Sequence, residues 1–362
     1  MKYMTTINII GKLMIFIAMV GIYSCNQNIK TSKEAMEESS KQQEKNKETN
    51  KSLLEGVSKA VCYSGFRSGQ HPDRGDGAVN PSYNEVLEDM QIIRDTLGFK
   101  LIRVYDCGEN TEMILKVIDD NKIDVKVMLG IWLRAELSAH ETCAWLNEPI
   151  PQHELDSNKV LNRKEIQKGI ELANRYSHII SAVNVGNEAL VDWNDHKVDV
   201  DSIISYVKKV QSMIDQEVTV ADNYDWWANS GKELADVVDF VSIHIYPVWE
   251  GKGIDEAMSY SIQNIQKVAD SLVGKRLVIT EAGWATTASE FGERASEENQ
   301  LIYYRELMNF AHENNITTFW FEAFDEDWKG NKDNPIGAEK HWGLYTVDRM
   351  PKEVVKYIKD NK

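Results

Sequence analysis

Short apolar runs alternate with longer amphipathic stretches through most of this 362-residue chain, from residue 57 to its end. The short runs are rich in β-branched residues and predict strands, whereas the longer stretches show the spacing of amphipathic helices. The predicted strands are Val57–Tyr63, Leu101–Tyr105, Val125–Trp132, Ile180–Val185, Val218–Ala221, Phe240–Tyr246, Leu277–Thr280 and Thr318–Phe324. The predicted helices are Tyr83–Leu97, Thr111–Asp120, Arg163–Arg175, Asp201–Ile214, Ala257–Leu272, Glu297–Glu313 and Lys352–Lys359.

This alternation amounts to eight consecutive strand–helix units. Consecutive βαβ units favour a parallel sheet, and eight of them favour closure of that sheet into a barrel. An open doubly wound sheet is the main alternative, but no Gly-rich phosphate loop follows the first predicted strand. The sequence therefore predicts the α/β class and a single (β/α)8 TIM barrel, preceded by a lipoprotein signal and a flexible tether.

The amino-terminal segment differs from the rest of the chain. Lys2 and Lys12 supply positive charge, and an apolar stretch from Leu13 to Ile22 is too short to span a bilayer comfortably. It ends in Ser24-Cys25, which resembles a bacterial lipoprotein cleavage site, so we expect residues 1–24 to be a signal peptide and Cys25 to be lipidated. An uncleaved anchor or a chance cysteine is the alternative. The expected location is the cell envelope, anchored to a bacterial membrane, with the outer membrane and cell surface as one candidate.

Residues 25–53 are polar and charged, with almost no large apolar side chain after Cys25. Such a segment cannot bury enough apolar surface to fold alone, and it predicts a flexible linker between the anchor and a folded domain. The folded domain is expected to span residues 54–362. A helix held by mixed charge pairs is the alternative for the linker.

The formal net charge of −16 argues against a nucleic-acid partner, because an anionic polymer would be repelled. An uncharged polysaccharide is compatible with this surface, although simple solubility would also explain the charge. Cys62, Cys107 and Cys143 match neither zinc nor redox spacing, and His140 and His153 add no tight ligand set. We therefore expect no metal and no cofactor.

Two glutamates stand at the ends of predicted strands. Glu188 closes the run Val185-Gly186-Asn187-Glu188, and Glu281 follows Thr280 and precedes Ala282-Gly283-Trp284. Burying such charges is costly, but the carboxyl ends of barrel strands are where catalytic residues cluster. Two carboxylates about 5–5.5 Å apart would predict a retaining glycosidase, and about 6.5–9.5 Å an inverting one. The alternative is that one or both form surface salt bridges.

Further motifs along the chain make it similar to a known family. The motifs are Gly56-Val57 through Tyr63-Ser64-Gly65-Phe66-Arg67, Ile102-Arg103-Val104-Tyr105, Val185-Gly186-Asn187-Glu188, Ile245-Tyr246-Pro247, Thr280-Glu281-Ala282-Gly283-Trp284, Phe324-Asp325-Glu326-Asp327-Trp328-Lys329 and Glu339-Lys340-His341-Trp342-Gly343-Leu344-Tyr345. In this order they resemble glycoside hydrolase family 17, the β-1,3-glucanases, over about residues 54–350. Three positions depart from the family pattern, namely Ala282, Ala285 and Trp342, which puts the shape of neighbouring subsites in doubt.

The resemblance implies that Glu188 is the acid/base and Glu281 the nucleophile of a double displacement. Asn187 is expected to bind a sugar hydroxyl. The remaining charged residues implied by the resemblance, which bind ligand hydroxyls or form a structural ion-pair network, are Glu326, Lys329 and Glu339.

Strand-end positions predict the aromatic and polar lining. The candidates for the glycone side are Tyr63, Tyr105, His244, Tyr246, Trp284 and Phe324, with core packing as the alternative and as the favoured interpretation for Phe324. Trp226 and Trp227, after the fifth strand, predict a platform for the leaving group, with a packed loop as the alternative. We favour a structural role for Arg103.

The leading functional prediction is a retaining, endo-acting β-1,3-glucanase that works as a monomer on a laminarin-like glucan. The alternatives are a β-1,3-glucan transglycosylase, a non-catalytic glycan-binding lipoprotein, and a related enzyme for β-1,4-linked glucan or mannan. Sequence does not separate hydrolysis from transfer, because water and a sugar hydroxyl can intercept the same glycosyl-enzyme.

Overall fold

The described part of the chain forms the predicted (β/α)8 barrel. The structure, a computed structural model, describes residues 53–361 apart from residues 57, 74 and 76. The predicted signal peptide, the lipidated Cys25 and almost all of the predicted linker lie outside the described residues. Among the described residues, no helix combines the length and apolar character needed to cross a bilayer.

Eight parallel strands close the barrel in sequence order, each paired with the next and the last paired with the first. The strands are β1 Lys59–Cys62, β2 Leu101–Arg103, β3 Lys126–Ile131, β4 Ile180–Asn187, β5 Glu217–Asn223, β6 Val241–Ile245, β7 Leu277–Ala282 and β8 Thr318–Trp320. Closure is direct, since Val61 of β1 lies in register with Trp320 of β8. The carboxyl ends of all eight strands therefore form one rim.

Helices follow the strands and cover the barrel. They are α1 Tyr83–Gln91, α2 Glu109–Asp120, α3 Gln152–Arg175, α4 Val200–Gln211, α5 Tyr224–Ser230, α6 Lys232–Ala235, α7 Ile254–Ser271, α8 Glu297–Glu313 and α9 Glu353–Asp360. A π-helical segment, Ile92–Leu97, extends α1, and Gly98 ends it in the left-handed conformation at φ 73°. Ser82 begins α1 with a capping box completed by Glu85.

The apolar faces of strands and helices meet in one continuous core. Cys62, Cys107 and Cys143 are buried and free, and two of them contribute to that core as small packing residues. The predicted elements differ most from the observed ones at two ends. Helix α3 begins at Gln152 rather than Arg163, and β8 ends at Trp320 rather than Phe324.

Candidate active site

Glu188 is held at the rim by its main chain. Gly186, at φ 84°, turns the chain at the end of β4, and Glu188 itself adopts a left-handed φ of 47°. The Glu188 amide donates to the carbonyl of Ala221 on β5 at 2.9 Å, and its carbonyl accepts from Asn194 Nδ2 at 3.0 Å. Both backbone groups are thus fixed, and the side chain projects from the rim with 22% of its surface exposed.

Glu281 lies on β7 and is much more deeply buried, with 7% of its side chain exposed. Arg103 Nη1 donates to its Oε1 at 2.5 Å, and the hydroxyls of Tyr105 and Tyr246 donate at 3.0 and 2.7 Å. Burial would raise the pKa of Glu281, but the charges of His244 and Arg103 and these hydrogen bonds outweigh it, so the pKa lies below its ordinary value. Glu281 is therefore an ionised carboxylate near neutral pH.

His244 lies between the two glutamates. Its Nδ1 is 2.9 Å from Oε1 of Glu188 and 3.5 Å from Oε2 of Glu281. One oxygen of each glutamate and a ring nitrogen of His244 all lie within 4.8 Å of one another. The predicted convergence of Glu188 and Glu281 is therefore present, and one oxygen of each lies close enough to the other to fit the short carboxyl separation of retaining glycosidases.

The same three side chains could also hold a divalent cation. However, the guanidinium of Arg103 and the imidazole of His244 already contact these carboxylates. Two carboxylates can act as acid/base and nucleophile without a metal ion. The absence of a metal remains a prediction.

A second charged cluster lies on the loops after β8. Lys329 Nζ is 2.6 Å from Glu322 Oε2 and 2.8 Å from Glu326 Oε2. Burial would raise the pKa of Glu326, but Lys329 and the Ser64 hydroxyl lower it, whereas burial keeps the pKa of Glu322 raised. Both glutamates are almost fully buried, which favours the structural ion-pair interpretation for Glu326 and Lys329. Sequence reasoning missed Glu322, which it placed inside a longer eighth strand.

Glu339 is partly buried near this cluster. Burial raises its pKa to about 7; the positive charge of Lys329 opposes the rise, and the charges of Glu188 and Glu281 add to it. Glu339 therefore carries a titrating charge within electrostatic range of both predicted catalytic residues.

Arg103 connects several of the predicted site residues. Its guanidinium is fully buried and binds Glu281 and, through Nη2, Oδ1 of Asn187 at 2.5 Å. It also lies 4.6 Å from the ring centroid of Tyr105. The structural role favoured for Arg103 is thus the orientation of both the Glu281 carboxylate and the amide of Asn187 beside Glu188.

The sugar-binding role predicted for three residues is wrong, because their side chains are buried inside the protein. The indole of Trp284 is fully buried and donates to the carbonyl of Arg294 at 2.8 Å. Trp227 is equally buried on the inner face of α5 and donates to the carbonyl of Ser242 at 2.8 Å. The Tyr63 hydroxyl donates to Asp89 at 3.1 Å, away from the nucleophile.

Trp226, the other half of the predicted platform, is partly exposed and meets Trp227 edge-on at 5.4 Å between ring centroids. Asp222, at the end of β5, was not predicted. Burial and the charge of Glu188 raise the pKa of this acid, and it accepts from the amides of Leu190 and Asn223 at 2.9 and 2.8 Å. The strand-end rule that identified the two glutamates would also have selected Asp222.

Comparisons with known proteins agree with this geometry. The model of the BtgE/BtgC glycoside hydrolase domain matches residues 60–343. A probable glucan endo-1,3-beta-glucosidase of Aspergillus fumigatus is 29% identical over 305 residues, which are 76% of this chain and 40% of that protein. The chain thus spans about two fifths of the length of such curated relatives.

Among solved structures, an endo-laminarinase from Formosa Hel1_33_131 superposes with a TM-score of 0.73 at 26% identity, covering 86% of this chain and 89% of that one. A glycoside hydrolase family 17 β-1,3-glucanosyltransferase from Rhizomucor miehei has a TM-score of 0.62 at 21% identity, covers 82% of this chain and 96% of that one, and supports the fold. The predicted resemblance to family 17 is confirmed. With most of its barrel matched by the family model, the chain belongs to the BtgE/BtgC glycoside hydrolase domain family.

Proposed function

We propose that this protein is a retaining glycoside hydrolase that cleaves internal bonds of a β-1,3-glucan. The observation that carries the proposal is the convergence of Glu188 and Glu281. One carboxylate oxygen of each lies within 4.8 Å of the other, and a ring nitrogen of His244 lies within the same distance of both. The named activities of its relatives, glucan endo-1,3-beta-glucosidase and endo-laminarinase, support the choice of linkage and of internal cleavage.

The first step requires an ionised nucleophile and a protonated acid on the two sides of the scissile bond. Glu281 is kept ionised by Arg103 and oriented by the hydroxyl of Tyr246. It attacks the anomeric carbon while Glu188 donates a proton to the leaving oxygen. The products are a covalent glycosyl-enzyme on Glu281 and a shortened glucan.

The second step reverses the role of Glu188. Its carboxylate removes a proton from water, the water oxygen attacks the anomeric carbon, and the bond to Glu281 breaks with net retention. A sugar hydroxyl in place of the water would give transfer instead of hydrolysis. Glu188 is the more exposed carboxylate of the two, as a residue that exchanges protons with solvent must be.

The test combines two variants with an azide experiment on purified laminarin and laminarihexaose. Glu281→Ala and Glu188→Ala should each abolish hydrolysis without unfolding the protein. Added azide should restore turnover of an activated substrate, giving the β-azide from Glu188→Ala and the α-azide from Glu281→Ala, because each vacated side admits the anion. Glu313→Gln, an exposed glutamate near the end of α8, is the matched control and should behave as wild type.

Undiminished hydrolysis by either alanine variant would remove this mechanism. Binding of laminarin without reducing-end release by the wild type would assign a glycan-binding protein. Products longer than the starting oligosaccharide, resolved by mass, would assign a transglycosylase.

The proposal extends to the location of the enzyme. Lipidation of Cys25 would tether the barrel to the cell envelope, and the short apolar stretch before Ser24-Cys25 supports this. The full-length protein should partition into detergent and carry an acylated amino-terminal cysteine by mass spectrometry. Cys25→Ser should remain in the aqueous phase with unchanged activity on laminarihexaose; detergent partitioning of that variant would reject the lipid anchor.

A further inference from the structure

Two tryptophans stand exposed on neighbouring loops at the rim. Trp145 follows β3 and is 58% exposed, and Trp193 follows β4 and is 44% exposed. Large apolar side chains grouped on a surface usually mark a binding site, since exposing them to water is unfavourable. The two loops are bound together: Thr142 Oγ1 donates to the carbonyl of Asp192 at 2.5 Å, and the Trp145 side chain lies beside the carboxylate of Asp195.

The same loops are attached to the strand that carries the acid/base. Asn194 Nδ2 donates to the carbonyl of Glu188, and His196 Nε2 lies 2.8 Å from the carbonyl of Asn187. The ring of His196 also packs on Trp132, at the end of β3, with 4.6 Å between centroids and an interplanar angle of 34°. The indole of Trp193 therefore sits on a loop that Asn194 and His196 hold to the main chain at the acid/base.

The chemistry of the site indicates which end of a bound glucan would contact this surface. A general acid must reach the leaving oxygen, so it lies on the leaving-group side of the scissile bond, whereas the nucleophile reaches the anomeric carbon. The loops after β3 and β4 adjoin Glu188, and Glu281 lies on β7, across the barrel in strand order. A glucan bound for cleavage would thus extend its leaving-group end over these loops.

The nucleophile side carries a different exposed indole. Tyr246, which binds Glu281, meets Trp342 at 5.2 Å, and Trp249 lies 6.4 Å from Trp342 with 45% of its surface exposed. The two sides of the catalytic pair therefore each present an aromatic face. This arrangement suits a chain that continues past the site in both directions.

We propose that Trp145 and Trp193, with Trp132 and His196 behind them, form the binding platform for the leaving-group glucose units of a β-1,3-glucan. The proposal rests on the proposed function. The platform replaces the predicted one at Trp226 and Trp227, because the indole of Trp227 is buried. Indole faces stack on the apolar faces of glucose rings, and the carboxylates and amides of the same loops provide partners for hydroxyl groups. The same surface would hold an acceptor sugar.

The test compares two substrates that differ in the leaving group. Laminarihexaose places glucose units on the platform, whereas β-laminaribiosyl fluoride releases only fluoride and places none there. The readout is the ratio of kcat/KM for the hexaose to kcat/KM for the fluoride. Trp145→Ala combined with Trp193→Ala should lower this ratio by about 10-fold or more, since truncating central aromatic contacts commonly costs that much. Trp145→Tyr with Trp193→Tyr keeps two aromatic faces and should restore most of the ratio.

Met213→Ala is the control, because it removes a large exposed apolar side chain just after the end of α4, outside both aromatic faces, and should leave the ratio close to that of wild type. A double alanine variant with an unchanged ratio would overturn the platform, as would equal losses on both substrates. Failure of the wild type to turn over either substrate would instead reject the proposed function itself, so the two failures are distinguishable.

Discussion

The guanidinium of Arg103 is expected to set the acid limb of the pH profile. It is fully buried and donates to Glu281 at 2.5 Å, so replacing it with methionine leaves the carboxylate in a buried site without its cation. A hydrogen bond to a charged group contributes about 1.5–3 kcal/mol. At 1.36 kcal/mol per pKa unit, Arg103→Met should raise the pKa of Glu281 by about 1–2 units.

The assay is the pH dependence of kcat/KM on laminarihexaose, whose acid limb reports ionisation of the nucleophile in the free enzyme. The limb should move to higher pH in Arg103→Met and move less in Arg103→Lys, which keeps a charge. Stability should change with the matching sign. The lowered pKa of Glu281 stabilises the native protein above the unfolded pKa, and this contribution is lost as the pH falls through the folded pKa. The variant should therefore lose more stability at pH 7 than at pH 4.

Arg276→Met is the control for loss of a partly buried arginine. Arg276 directly precedes β7 at the opposite end of the barrel and pairs with Glu217 at 2.8 Å. The Arg276→Met variant should have a lower free energy of unfolding than wild type, with the acid limb of its pH profile unmoved. A folded Arg103→Met enzyme with an acid limb equal to that of wild type would refute the role given to this guanidinium.

Three further predictions concern the surrounding residues. Tyr246→Phe removes a 2.7 Å hydrogen bond to Glu281 and should lower kcat/KM by about 10- to 100-fold without unfolding the barrel, as measured by steady-state kinetics and circular dichroism. Lys329→Met leaves two buried glutamates without a cation and should destabilise the protein by about 3–5 kcal/mol in urea unfolding at pH 7, with equal stability at pH 7 contradicting the ion-pair role. Glu339→Gln removes the group with a pKa of about 7, so an inflection of kcat/KM near that pH should vanish. Its stability should also no longer fall as the pH rises from the ordinary glutamate pKa toward 7, and an unchanged profile would remove Glu339 from the electrostatics of the site.

The barrel and its two glutamates were predictable because both follow from simple periodicity. Eight apolar runs of strand length, separated by amphipathic stretches, favour a closed parallel sheet covered by helices, because this arrangement buries the apolar faces of both. Parallel strands then bring their carboxyl ends to one rim, so Glu188 and Glu281 meet although they are distant in sequence. Neither conclusion depends on the direction of a particular side chain.

The aromatic predictions failed where side-chain direction decides the outcome. Trp227 follows a strand end, but helix α5 begins at Tyr224 and turns this indole toward the core. Trp284 lies three residues beyond Glu281, and the turn there directs it to Arg294 rather than to the groove. Strand-end position alone cannot separate these from exposed neighbours, because a single turn reverses the face that a residue presents.

The start of α3 was missed for a different reason. The segment from Gln152 to Asn162 is mostly polar, and its few buried positions, such as Leu155 and Asn162, form no apolar stripe. Asn162 instead donates to the carbonyl of Arg134 and to Glu136. The helix is held there by polar contacts with the loop after β3, which leave no hydrophobic periodicity in the sequence.

The distribution of cations supports the two proposed catalytic roles independently of any relative. Arg103 is committed to Glu281, and Lys329 is shared by Glu322 and Glu326. Within the described residues, the basic side chain that reaches Glu188 is the imidazole of His244, and neither a lysine nor an arginine pairs with it. A carboxyl fixed as an anion by a buried guanidinium is suited to attack, whereas a more exposed carboxyl beside an imidazole is suited to give and take a proton. Exchanging the roles would require Glu281 to bind a proton against the field of Arg103, and the structure opposes that in every contact the carboxylate makes.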